Sequence, residues 1–232
     1  MAVAFDAFSS GVLDANFTHN PVGVPKAVIV WVCDVSGSDQ VTGVTYGGAA
    51  LAQVSGSPLN KTTGEAGSVH CFFLGSSVPT DDPATVDVTT TASTFAVYCV
   101  TLTADTNTEL VDVDATISSD SQADPSVTMS LAGRSSFVGL CFFSGHDAVT
   151  SCTQLTDWTN RQRDTTGAIV VGCFTYNTIG TADVTAGWTQ TAEDAVAIVV
   201  TVSEVQAGAG NFLLLLNPNM RGGLGGLRTG IQ

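Results

Sequence analysis

Hydrophobic positions along the chain fall into short runs of two kinds. In Thr85-Val-Asp-Val-Thr the valines share one side and the polar residues the other, and Leu110-Val-Asp-Val-Asp-Ala repeats the alternation. A pleated strand sends successive side chains to opposite faces, so both segments predict half-exposed antiparallel strands. The runs 27–32, 95–102 and 195–202 are apolar on both faces and predict central strands covered on both sides. Turn clusters punctuate the runs at Ser36-Gly-Ser-Asp, Tyr46-Gly-Gly, Thr63-Gly, Ser144-Gly-His-Asp and Asp164-Thr-Thr-Gly. The pattern predicts strands at 26–35, 41–46, 49–54, 68–74, 85–91, 95–102, 110–117, 126–131, 136–143, 168–176, 183–189 and 195–205, with no long segment of helical period. The stretch 117–125, Ile-Ser-Ser-Asp-Ser-Gln-Ala-Asp-Pro, is polar and unpatterned and predicts a surface loop.

The expected fold is therefore all-β: an antiparallel β-sandwich of jelly-roll or Greek-key type. An N-terminal segment, 1–25, precedes a body at 26–206, and an extended C-terminal tail follows at 207–232. The order of runs from 26 to 104 is echoed weakly from 136 to 205. The matching anchors are Val32-Cys-Asp with Leu140-Cys-Phe, His70-Cys-Phe with Gly172-Cys-Phe, and Phe95-Ala-Val with Ala195-Val-Ala. Two such halves fit either two Greek-key sets in one sandwich or two small sandwiches. Because no Pro/Gly linker separates them, one domain is the preferred reading.

Composition sharpens this picture. Charged residues make up only 12% of the chain and the net charge is −14, which argues against a basic surface for nucleic acid and against an anionic membrane. From 207 to 232 there is no Asp, Glu or Lys, only Arg221 and Arg228, so an acidic body carries a basic tail. The tail opens with Gly208-Ala-Gly, continues with Phe212, Leu213, Leu214, Leu215 and Leu216, and ends in Gly-Gly-Leu repeats around Leu224 and Leu227. Those repeats make neither a good helix nor a self-sufficient strand. The start of the chain has no basic segment leading into an apolar one, so no signal peptide is expected. The cysteines Cys33, Cys71, Cys99, Cys141, Cys152 and Cys173 form no C-x-x-C pair, and all but one sit in apolar strand-like runs. They are expected to be reduced, buried thiols.

The segment Val41-Thr-Gly-Val-Thr-Tyr-Gly-Gly-Ala-Ala-Leu-Ala-Gln-Val follows an apolar strand and precedes a Cys-Phe-Phe-Leu strand. With the closing Ala186-Gly-Trp-Thr-Gln-Thr and Val196-Ala-Ile-Val-Val, it resembles β-sandwich modules of bacteriophage virion proteins, including head decoration or cement proteins and tail-fibre modules. The resemblance spans roughly 26–205 and leaves the Leu-rich tail outside it. It implies a virion structural protein assembled in the host cytoplasm, homo-oligomeric and bound to the major capsid protein or other virion subunits. No catalytic residue carries over.

The residues themselves offer little chemistry. His19, His70 and His146 have no metal-ligand spacing, and His70 and Cys71 point to opposite faces of one strand. His146-Asp147 lacks a nucleophile motif and reads as a turn. Asp81-Asp82-Pro and the Asp112/Asp114 pair suggest a glycosidase pair or calcium ligands, but Asp112 and Asp114 share one strand face and read as solvated surface. The 120–124 loop is a weaker calcium candidate. No cofactor or metal is expected, and no enzyme. Trp31 reads as core. Trp158, in Thr156-Asp-Trp-Thr-Asn, is the tryptophan in a polar setting, weighed between core packing and a ligand or partner face. Two functions follow. One is a capsid decoration protein held by Phe212, Leu213, Leu214, Leu215, Leu216, Arg221, Leu224, Leu227 and Arg228. The other is a receptor- or carbohydrate-binding module of a fibre or adhesin using Trp158.

Overall fold

The computed structural model describes residues 2–146, 148–166, 169–176 and 181–206, without the side chains of 115–120 and 166. These residues form antiparallel sheets and one short 3-10 turn, Val149–Ser151. A first large sheet runs in the order β1 (Ala4–Val12), β10 (Phe95–Thr103), β3 (Ala27–Asp34), β8 (Gly67–Leu74), β6 (Ala52–Gln53), with β7 (Leu59–Lys61) also paired to β8. A first small sheet runs β2 (Asn16–His19), β9 (Ala84–Thr90), β4 (Val41–Tyr46), β5 (Ala49–Ala50). The remaining described residues repeat the arrangement in outline. A second large sheet runs β11 (Thr108–Gln122), β18 (Glu193–Glu204), β13 (Phe137–Ser144), β16 (Ile169–Tyr176), β15 (Trp158–Thr166). A second small sheet runs β12 (Ser126–Met129), β17 (Val184–Thr189), β14 (Thr153–Gln154).

The registers align the halves residue by residue. Trp31 pairs with Tyr98 and Cys71 in the first large sheet, and Cys141 pairs with Ile198 and Cys173 in the second. Cys71 therefore matches Cys173, and Phe95 matches Ala195. The anchor at Val32-Cys-Asp is displaced: Cys141 matches Trp31, not Cys33, because both central strands place the residue opposite Cys71 or Cys173 at that position. Even an irregularity recurs. β1 shifts register between Phe5 and Ala7 where it meets Leu102 and Thr101, and β11 shifts between Leu110 and Asp112 where it meets Val202 and Thr201. Each extra residue, Asp6 or Val111, is a bulge at the same rung of an edge strand.

Other expectations need correcting. Residues Ala4–Val12 and Asn16–His19 are strands of the first half, so the body begins well before Lys26. β11 continues through the expected loop as far as Gln122, with a second register shift between Ser118 and Gln122. β15 was not apparent because its polar run, Trp-Thr-Asn-Arg-Gln-Arg-Asp-Thr-Thr, forms a sheet edge.

Alternation assigns the layers. In β3 the residues Val28, Val30 and Val32 meet Val44, Val86 and Val88 of the first small sheet in one buried cluster. In β13 the residues Val138, Leu140 and Phe142 meet Met129, Val184 and Trp188 of the second small sheet. The opposite faces of the two large sheets bury one another: Ala27, Ile29, Trp31 and Cys33 share a cluster with Phe137, Cys141, Phe143 and Ile198. The layers thus run small, large, large, small. This is why β3, β13 and most of β18 are apolar on both faces. At the central seam the approach is close enough to need glycine: a Cβ on Gly139 would lie 2.7 Å from Trp31 Cη2, and one on Gly67 2.4 Å from Phe143 Cε2.

Candidate functional site

Four groups of chemically capable side chains stand out. In the first half, Asp34 and His70 are both fully buried. His70 Nε2–H donates to Asp34 Oδ2 (3.1 Å), while Asp34 Oδ1 accepts from the Ser36 backbone N–H (2.8 Å) and from the Ser36 hydroxyl. His70 Nδ1 is 3.7 Å from Asp39 Oδ1, too long for a hydrogen bond. Ser36 bonds the carboxylate and not the imidazole, so the three do not form a nucleophile–base pair. They tie the end of β3 to the Ser36–Gln40 turn. At the matching position in the second half, Ser144 donates to Gln190 Oε1 (2.8 Å). The same oxygen accepts Trp188 Nε1–H (2.6 Å), and Gln190 Nε2 donates to the carbonyls of Gln122 (2.8 Å) and Glu193 (3.3 Å).

The second group is a relay behind β1. Asp6, projected by the bulge, accepts from the Gly23 backbone N–H (2.7 Å) and from the Thr101 hydroxyl (2.9 Å). With that proton committed, Thr101 Oγ1 accepts from His19 Nε2–H at 3.0 Å. His19 Nδ1 then carries a lone pair into the core without a partner, beside Tyr46, whose hydroxyl is also buried and unpartnered. Burial lowers the His19 pKa to about 4, the nearby Asp6 opposing it.

The third group is the thiols. All six cysteines are free and buried. Cys33 Sγ lies 3.2 Å from Cys141 Sγ across the central seam. Burial pushes the Cys71, Cys99, Cys141 and Cys173 thiols well up from their ordinary range, which makes them poor nucleophiles.

The fourth group surrounds the end of β18. Arg134 Nη1 sits 2.5 Å from Glu109 Oε1 and donates to Ser203 Oγ (3.0 Å). Together with Gly133, Ser135, Glu204, Val205, Gln206 and Ala2, Arg134 lines an open groove of about 430 Å³. The chain leaves the described body in this groove, beside the first residues of the chain. A more apolar groove of about 380 Å³ lies next to it, between β6, the end of β8 and the start of β11.

The sequence-derived candidates scatter. Trp158 is only 4% exposed; its ring packs on Tyr176 and its Nε1–H donates to the Thr185 carbonyl (3.2 Å). It is a core residue of the second half. Its polar neighbours in sequence belong to an edge strand, and only its own inward position is covered. His146 Nε2 lies 3.3 Å from the Thr191 carbonyl, as a turn residue would. Asp112 Oδ2 accepts the Ser130 backbone N–H (3.0 Å), and Asp124 Oδ1 accepts that of Gln190 (2.8 Å). Among the described residues no three His, Cys, Asp or Glu side chains are gathered to hold a metal. Phe212, Leu213, Leu214, Leu215, Leu216, Arg221, Leu224, Leu227 and Arg228 lie outside the described residues. The buried relay of Asp6, Thr101 and His19 was missed in the sequence, since its members are separated by most of the first half. No family model, curated protein or solved structure matches the chain.

Proposed function

We propose that the chain is a structural subunit of a virion, a decoration or cement protein that binds the major capsid protein or other virion subunits. In this reading each half is a sandwich of jelly-roll or Greek-key type. One observation supports it. β18 ends in an open groove that Ala2 also lines, so residues 207–232 start from the surface of a body whose large sheets already cover one another. An apolar, then basic, segment leaving such a block is suited to attachment: Arg221 and Arg228 meet acidic groups on an adjacent body or shell, and the Gly-Gly-Leu repeats let the backbone lie close to it. The carbohydrate-binding reading loses its support with the burial of Trp158.

The test is reconstitution. Purified particles stripped of this chain should rebind the full chain, whereas a chain ending at Gln206 should keep its circular-dichroism spectrum and fail to bind. Rebinding of the shortened chain at equal occupancy would remove the tail, and with it this function.

A further inference from the structure

The two halves meet along two matching seams, and among the described residues the second leaves an open groove. In the first, β15 lies against β1. There Arg161, the extra residue at the register shift between Asn160 and Gln162, lays its guanidinium 3.5 Å from the centre of the Phe5 ring and donates Nε–H to Thr175 Oγ1 (2.8 Å). In the second, β6 and β7 lie against β11. The registers put Leu110 where the first seam has Phe5, and Phe73 where it has Thr175. The strand position that carries Arg161 in one seam is taken in the other by the segment after Gln53, where Val54 turns into the central core. What remains is the groove of about 380 Å³ lined by Ala50, Ala52, Phe73, Leu74 and Leu110, with Ser76, Thr108 and Glu109 as its polar members.

We propose that this groove is the docking site for residues 212–216 of the same chain, Phe-Leu-Leu-Leu-Leu. Position supports this occupant. The Val205 backbone N–H donates to the Asn107 carbonyl (2.9 Å); the next residue, Thr108, lines the groove and donates to Gly75 (2.8 Å). Residues 207–211, with glycine at 208 and 210, span roughly 17 Å when extended. That is enough to carry Phe212 from the exit into the adjacent groove. Chemistry agrees: the lining is largely apolar, and β5 and β6 are two-residue strands at the margins of their sheets. An apolar segment that covers them removes an exposed edge. Residues 217–232, with Arg221 and Arg228, stay available to a partner, and the inference concerns the free subunit whatever that partner is.

The test compares the full chain with a full-length Phe212→Asp, Leu214→Asp variant by hydrogen–deuterium exchange. Backbone amides of 49–53 and 108–110 should exchange about tenfold more slowly in the unsubstituted chain, and the difference should be unchanged by dilution. Equal exchange overturns the proposal. Protection lost on dilution overturns it too, by showing that the segment comes from a second copy. Independently, Ala52→Arg, which puts a long charged side chain on a residue lining the groove, should make residues 212–216 several-fold more susceptible to chymotrypsin; an unchanged cleavage rate also overturns it.

Discussion

His19 shows how one residue ties stability to pH. Its Nε2–H is fixed by Thr101, so a proton can add only at the buried, unpartnered Nδ1. The folded pKa, about 4, lies below the ordinary value of 6.5, so the unfolded chain takes up the proton first as pH falls. The stabilisation is whole above pH 6.5, declines through the window between the two values and is gone below pH 4, a loss of about 3 kcal/mol. The matching residue of the second half is Met129. A His19→Met variant should therefore hold its denaturant midpoint between pH 6.5 and 4 better than the parent does. Equal slopes in the two proteins would show that other groups control acid unfolding. None of this was legible beforehand, because a lone histidine in Asn-Phe-Thr-His does not reveal which hydroxyl lies across the sheet.

Among elements, the apolar central strands were legible to within a residue or two, because burial on both faces leaves no position for polar side chains. Two edge strands, β1 and β15, were not. β1 carries a bulge that breaks its alternation at Asp6, and β15 pairs through backbone groups while its side chains are mostly polar. The contact between the large sheets was also hidden, since the reason for glycine at 139 and 67 lies in the opposing rings of Trp31 and Phe143 and not in the local pattern. Trp31 rests on Gly139, so Gly139→Ala should destabilise the protein by about 1–3 kcal/mol. The change should appear as a shifted denaturant midpoint at unchanged slope. No shift would mean that the seam opens without cost.

Across the whole molecule, the central core belongs to both halves, and Tyr98 of one also donates to Asp164 Oδ2 of the other (3.1 Å). Lys61 and Asp194 add an ion pair across the same boundary at 3.3 Å. Each large sheet would expose its inner face without its partner, so unfolding should be a single transition, with tryptophan fluorescence and far-ultraviolet circular dichroism melting together. Two separated transitions would show that the halves are independent. The bulges at Asp6 and Val111 fall at the same rung, so the two halves offer the same backbone frame to different side chains. Behind that frame one half carries His19 where the other carries Met129, and at the seam Arg161 covers Phe5 while the equivalent Leu110 faces a groove. One repeated scaffold thus holds a proton-sensitive site in one half and an inert one in the other, so a pH change strains the molecule on one side only.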